Sequence, residues 1–122
     1  MKGVFLNCTN HTSNFWNEEQ KKEALKYGKI VDYPFPSVDA GMTEGEIVTL
    51  AQKAAKEIVK INPAAVLCQG EFTLTYQLIN MLKKEGIVVL AACSERKTVE
   101  RVIEDGMAEK ISMFKFVKYR KY

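Results

Sequence analysis

The chain has 122 residues, of which 47% are hydrophobic and 27% charged, and its formal net charge is +3. These values are typical of one globular domain over residues 1–122, and the net charge is too small to indicate binding to long nucleic acid. No membrane-spanning helix is expected, because no apolar run approaches the ~20 residues that such a helix needs. Three cysteines without close pairing and the lack of a secretory signal favour a reducing cytoplasm.

The first part of the chain predicts a strand, a helix and a second strand. Residues 2–8 are mostly apolar and form a buried strand, which a polar loop follows. A helix begins near residues 15–17 and ends at Tyr27, because Gly28 is a natural helix terminator. Residues 29–35 are the second strand.

The middle of the chain carries the clearest helix signal. Thr43 and Glu46 have the spacing of a capping box, and apolar residues then recur at helical spacing. The helix ends at Asn62, which precedes a proline. Residues 64–68, which are all apolar, predict a short third strand.

The last part of the chain predicts two helices and two strands. A third helix carries a leucine stripe and ends at Gly86. Residues 87–93 form the fourth strand. The charged residues 95–105 predict a fourth helix, capped by Gly106, and residues 109–119 a fifth strand whose charges suit a sheet edge.

This alternation of strands and helices indicates an α/β fold of the Rossmann-like, three-layer kind. A mostly parallel sheet of about five strands is expected, with helices on both of its faces. Right-handed crossovers favour the strand order 2-1-3-4, with strand five beside strand four. In such folds, ligands bind beyond the carboxyl ends of the strands.

Three polar loops follow the carboxyl ends of the first, third and fourth strands. We therefore expect a shared cleft that is rich in hydrogen-bonding groups. The candidate binding residues are Thr9, Asn10, Thr12, Ser13, Gln69, Gly70, Glu71, Phe72, Thr73, Ser94 and Lys97, and the candidate catalytic residues are His11 and Arg96.

The turn at residues 69–71 suits an anion. Gly70 permits a tight turn or a close approach of the backbone to a ligand. The third helix begins directly afterwards, so its N–H groups would face the cleft. Thr73 either adds a hydroxyl to this site or only caps the helix.

His11 and Arg96 each have two interpretations. His11, the only histidine, is either a general acid or base near neutral pH or an exposed loop residue. Arg96 either binds a phosphate with its fork of donors or forms a surface ion pair with Glu95 or Glu100.

The cysteines and aromatic residues are also ambiguous. Cys8, Cys68 and Cys93 end neighbouring predicted strands near His11, which permits a zinc hypothesis. No CxxC or HxxxH spacing supports it, so buried thiols are favoured, and neither a metal nor a cofactor is expected. Four aromatic side chains flank the cleft and either stack on bases or pack in the core: Phe15, Trp16, Phe35 and Phe72.

The segments LNCTNHTSNFW, QGEFTLT and AACSERK, which follow strands one, three and four, carry a family resemblance. In this layout the chain resembles the CRISPR-associated Rossmann-fold (CARF) domains. It most resembles the short stand-alone members found near type III CRISPR systems, some of which are ring nucleases.

The resemblance implies a homodimer that binds cyclic oligoadenylate across its two-fold axis. Ribose and phosphates would be held by Asn10, His11, Thr12 and Ser13 and by Gly70, Glu71, Phe72 and Thr73. In a ring nuclease, a ribose 2′-hydroxyl attacks the adjacent phosphate without a metal. The resemblance assigns protonation of the leaving oxygen to His11 and charge stabilisation to Arg96 and Lys97. The chain has no diagnostic catalytic pair, so a sensor or interaction module that does not cut the ring is the alternative.

Overall fold

A computed structural model describes residues 3–104 and 106–122, and its centre is one mixed sheet of five strands. The strand order is β2-β1-β3-β4-β5. The first four strands are parallel, and β5 is antiparallel to β4. This agrees with the predicted α/β class and with the predicted order. The strands are β1 (Gly3–Thr9), β2 (Gly28–Asp32), β3 (Ala65–Gln69), β4 (Val89–Val102) and β5 (Ala108–Lys121).

Three α-helices connect the parallel strands: α1 (Glu18–Leu25), α2 (Glu44–Ile61) and α3 (Phe72–Lys84). A 3-10 turn (Ser13–Phe15) precedes α1, which therefore begins later than the sequence predicted. The capping box at Thr43 and Glu46 is confirmed, and Asn62 ends α2 in a left-handed conformation. None of the described helices is long and apolar enough to cross a membrane.

The helices cover opposite faces of the sheet, which gives two apolar cores. Helices α2 and α3 pack on the face that carries Leu6, Cys8 and Val66. Helix α1 and Trp16 pack on the other face, against Phe5 and other side chains. The α1 face is thinly covered, because one helix of 8 residues lies on it.

The predicted fourth helix, over residues 95–105, is wrong as far as the structure describes that segment. Strand β4 continues without interruption to Val102 and returns as β5, which forms a long antiparallel hairpin. Gly106, expected to cap a helix, has φ +77° in the hairpin turn. Valine and isoleucine at 99, 102 and 103 fit a helical stripe, but β-branched residues also favour strands, and pairing with β5 decides the outcome.

Candidate functional site

A cavity of about 480 Å³ lies at the carboxyl ends of β1, β3 and β4, on the face that α1 covers. This volume is within the range of small-molecule sites, which is about 300–1,000 Å³. The position is the one that the sequence predicted from the strand order. The cavity is lined by Thr9, Asn10, His11, Phe15, Trp16, Gln20, Leu67, Gln69, Gly70 and Ala92.

A buried amide at the end of β1 fixes the loop that carries His11. The NH2 group of Asn7 donates to the His11 carbonyl and to Asp32 Oδ1, each at 2.8 Å. The Thr9 hydroxyl donates to Asn7 Oδ1 at 2.8 Å and accepts from the His11 N–H at 3.2 Å. The His11 backbone is thus held at two points, while its side chain is exposed.

The carboxylate of Asp32, at the end of β2, holds the next part of the loop. Its two oxygens accept from the Ser13 N–H at 3.1 Å and from the Ser13 hydroxyl at 3.0 Å. Ser13 is therefore turned towards β2, and it does not line the cavity. Thr12 is the exposed residue before the 3-10 turn and lies outside the cavity lining as well.

Two aromatic residues form one wall of the cavity. Trp16 is buried, and its ring meets Phe5 edge-on with centroids 6.0 Å apart. Phe15 is 86% exposed, so its ring is open to a ligand. An aromatic wall of this kind can stack against a planar base.

Gln69 and Gly70 form the floor of the cavity at the end of β3. The side-chain oxygen of Gln69 accepts from the Ala92 N–H at 2.9 Å, so its NH2 group is the end that can donate to a ligand. A Cβ atom on Gly70 would lie 2.5 Å from Cε1 of Phe35. The φ of Gly70 is not positive, so glycine is needed here to make room for Phe35 and not for an unusual backbone turn. The other expectation, a close approach of the backbone to a ligand, stays a prediction.

The start of α3 is occupied by a side chain of the same protein. Glu71 accepts from the Thr73 N–H and hydroxyl and from the Leu74 N–H. The hydrogen bond from Thr73 is the main cause that lowers the pKa of Glu71. The expected anion site at these N–H groups is therefore filled by a carboxylate, and Glu71 is the cap in place of Thr73.

Residues 71–73 line a different cavity from His11. Glu71, Phe72 and Thr73 border a hollow of about 630 Å³ together with Met42 and Ile47. Ile47 belongs to the α2 and α3 face of the sheet, which is opposite to Trp16. Of the residues that the structure describes, only Gly70 borders both cavities.

The predicted site residues of the fourth loop lie on the hairpin. Ser94, Arg96 and Lys97 are exposed positions of β4 beyond the cavity wall, which ends at Ala92. The Arg96 guanidinium donates to the Ser112 hydroxyl on β5, with the Nη2–Oγ distance 3.0 Å. None of the three lines the cavity of its own chain.

The cavity wall carries no Lys, Arg, Asp or Glu among its ten residues, so its polarity comes from hydroxyl, amide and imidazole groups. The thiols contribute nothing to it. Cys8 and Cys68 face each other across β1 and β3 and are buried. The pKa of Cys68 is raised by its hydrogen bond with Cys8 and by burial, so it stays a neutral thiol. Within residues 3–104 and 106–122, no group of three or more metal-ligating side chains occurs.

Sequence reasoning missed several residues of the site. Gln20 and Ala92 line the cavity, and Asn7 and Asp32 support the loop above it. The polar Asn7 inside an otherwise apolar strand was a usable signal, because a buried amide must find partners nearby. No sequence signal places Gln20 in the wall of this cavity.

The model of the MJ1673 family of uncharacterized proteins matches residues 3–120 of the chain. The chain belongs to the MJ1673 family. The match includes β1 to β4, β5 up to Arg120 and the whole cavity wall, so the site described above lies inside the matched region. Comparison with curated proteins and with solved structures gave no match to the chain.

Proposed function

We propose that the chain binds a cyclic oligoadenylate, with one adenylate unit in the cavity at the carboxyl ends of β1, β3 and β4. The observation that supports this most is the composition of the cavity wall. It combines an aromatic side, at Phe15 and Trp16, with donors at Asn10, His11 and Gln69. Stacking on a base contributes about 1–3 kcal/mol, and amide groups can read its edge.

The rest of the ring lies, in this proposal, along the hairpin that rises beside the cavity. Phe116 packs against Tyr119, whose ring contacts Phe5 on the cavity side of the sheet. Phe114 lies two residues from Phe116, so it shares that side, and Arg96 is its register partner. In this arrangement the Arg96 guanidinium can bind a phosphate, and the exposed Phe114 ring can stack on the neighbouring base.

Cleavage of the ring is a further step of the proposal. A ribose 2′-hydroxyl loses its proton to water and attacks the adjacent phosphorus, the bond from phosphorus to the 5′ oxygen breaks, and protonated His11 gives that oxygen a proton. The products are a 2′,3′-cyclic phosphate and a 5′-hydroxyl, and no metal takes part. Binding without cleavage is the second candidate, because the cavity wall has no cation to stabilise the developing charge.

The wider context is proposed on the same basis. The fold is then a Rossmann-like three-layer sandwich in which a hairpin replaces the fourth helix. The protein is a cytoplasmic homodimer that serves a type III CRISPR antiviral system, as the resemblance to CARF domains implies. Free thiols at all three cysteines agree with a reducing compartment.

Calorimetric titration with cyclic tri-, tetra- and hexa-adenylate tests the binding. We expect saturable heat for one ring size, and R96A weakens it by about tenfold, the value of one lost charged hydrogen bond. K53A is the matched control, because it removes the same charge from an exposed position of α2, which packs on the opposite face of the sheet. No heat with any ring, or equal losses in both variants, would remove the proposed site.

Incubation of labelled ring with the protein in EDTA separates the two candidates. Linear products with a cyclic phosphate end, slowed in H11A at unchanged affinity, identify a ring nuclease. Tight binding with intact ligand identifies a sensor.

A further inference from the structure

The hairpin formed by β4 and β5 projects far beyond the rest of the sheet. Val102 lies ten residues past Ala92, the last β4 residue of the cavity wall, which at about 3.3 Å per residue corresponds to about 33 Å. All described residues of its first strand, 94–104, are exposed. An isolated two-stranded hairpin is at best marginally stable in water, so this one needs a covering surface.

One side of the hairpin is apolar, and we call it the apolar face. Paired residues of antiparallel strands share a face, which places Val99 with Ile111, and Lys97 with Met113. Towards the tip, Ile103 and Met107 are joined by a backbone hydrogen bond. Met113 is 57% and Met107 67% exposed. Apolar side chains on the neighbouring pairs Val99–Ile111 and Lys97–Met113 mark an interface, and the charged pair Arg101–Glu109 separates them from Ile103 and Met107 at the tip.

The other side of the hairpin is polar at the same level. It carries Thr98 with Ser112, and Glu100 with Lys110. Water can satisfy these groups, and the exposed apolar side chains of this side, Phe114 and Val102, lie apart from each other on either side of them. On the apolar face, in contrast, Val99, Ile111 and Met113 lie on neighbouring pairs, so this is the face that we expect a partner to cover.

The charged residues at the two ends of the apolar face are arranged so that two copies of the face, packed antiparallel, would bring opposite charges together. Glu95 and Arg101 are equally far from Thr98 along β4, and Lys115 and Glu109 are equally far from Ser112 along β5. A two-fold axis that crosses the hairpin at the level of Thr98 therefore places residues of opposite charge on each other. Self-complementarity about an axis is what an isologous interface requires.

We propose that the apolar face is a dimerisation surface that packs antiparallel on the same face of a second copy of this chain. In this register, Glu95 meets the partner's Arg101, and Lys115 meets the partner's Glu109. Met113 packs on the partner's Ile111, and the stem of Lys97 covers the partner's Val99. Each pairing occurs twice, so four ion pairs surround an apolar centre.

The variant R101E tests the proposed register by sedimentation. It puts a carboxylate opposite the partner's Glu95 at two places, so we expect the dimer to dissociate at least about tenfold more readily. K110E is the matched control, because it makes the same charge change on the polar side of the hairpin and leaves the dimer intact.

The double variant E95R/R101E separates assembly from stability of the hairpin. It restores the opposite charges between copies but not the Arg101–Glu109 ion pair within the chain, whose N–O distance is 2.8 Å. Recovery of the wild-type dimer therefore supports the proposal. A wild-type monomer at all concentrations, equal effects of R101E and K110E, or no recovery in the double variant would each overturn it. None of these results depends on the ligand.

Discussion

Replacing Gly70 by alanine tests whether the floor of the cavity is set by packing. The new Cβ would lie 2.5–2.6 Å from three atoms of the Phe35 ring, whereas carbon atoms in contact prefer about 3.5–4.0 Å. The ring would have to move by about 1 Å, and Phe35 is buried at 8% exposure. Overpacking of this kind costs about 1–3 kcal/mol, so we expect the free energy of unfolding to fall by that amount.

Urea unfolding of G70A, F35L and the double variant measures this effect. Because leucine removes the ring atoms that clash, G70A should cost much less in the F35L background than in the wild type. A coupling energy of about 1–3 kcal/mol between the two positions is therefore expected. A change of less than about 0.5 kcal/mol in G70A, the size of an ordinary surface substitution, would refute the packing argument. The same cost in both backgrounds would refute it too.

Three other substitutions and one measurement of stoichiometry test the cap of α2, the loop that carries His11, the start of α3 and the cavity. T43A removes the cap of α2 and should lower the free energy of unfolding, measured by urea titration, by about 1 kcal/mol. T49A is the control, because it removes only an exposed hydroxyl bonded to Gly45, and it should change this free energy little. N7A removes the amide group that donates to both the His11 carbonyl and Asp32. The free energy of unfolding should fall by about 1–3 kcal/mol, and ring binding should weaken. Full affinity for the ring in N7A would show that other contacts hold the loop. E71Q should be less stable than the wild type at neutral pH, because hydrogen bonds from Thr73 and Leu74 lower the pKa of Glu71 and favour its charged form. The extra stability of the wild type is present above the ordinary carboxyl pKa and is lost as the pH falls through the lowered pKa. A stability difference between wild type and E71Q that widens in acid would contradict this expectation. Calorimetry should give one ring per chain, because each cavity lies within one chain, in contrast to the ring across a two-fold axis that the resemblance to CARF domains implies. One ring per dimer would contradict the one-chain site.

Local signals were sufficient to predict most of the elements and the strand order. The capping box at Thr43 and Glu46 and the helix stop at Asn62 are short-range features, and both are confirmed. Crossover handedness constrains the topology and depends little on sequence detail, and the order β2-β1-β3-β4-β5 that we expected agrees with the structure. The location of the cavity followed from that order.

The fourth helix failed because two structures fit the same pattern. Val99 and Val102 are three residues apart, as on a helix face, but their neighbours also pair well across a hairpin. Which structure forms depends on β5, whose sequence lies beyond the segment itself. Arg96 was therefore expected in the cleft but lies on the hairpin.

The start of α3 shows a second limit of sequence reasoning. A glycine before a helix suggested an anion site, but the side chain of Glu71 turns back and bonds the free N–H groups. The sequence shows that a carboxylate follows Gly70, but it does not show which rotamer the Glu71 side chain adopts. The packing of Phe35 on Gly70 is likewise a contact between distant segments.

Fluorescence of Trp16 offers the most direct test of the proposed ligand site. Trp16 is the single tryptophan of the chain and lines the cavity, so a base that stacks there must change its emission. We predict a saturable change on titration with cyclic oligoadenylate, with a midpoint that matches calorimetry and moves in R96A. Emission that stays constant while the ring binds would place the ligand elsewhere, and constant emission without any binding would contradict the proposed function itself.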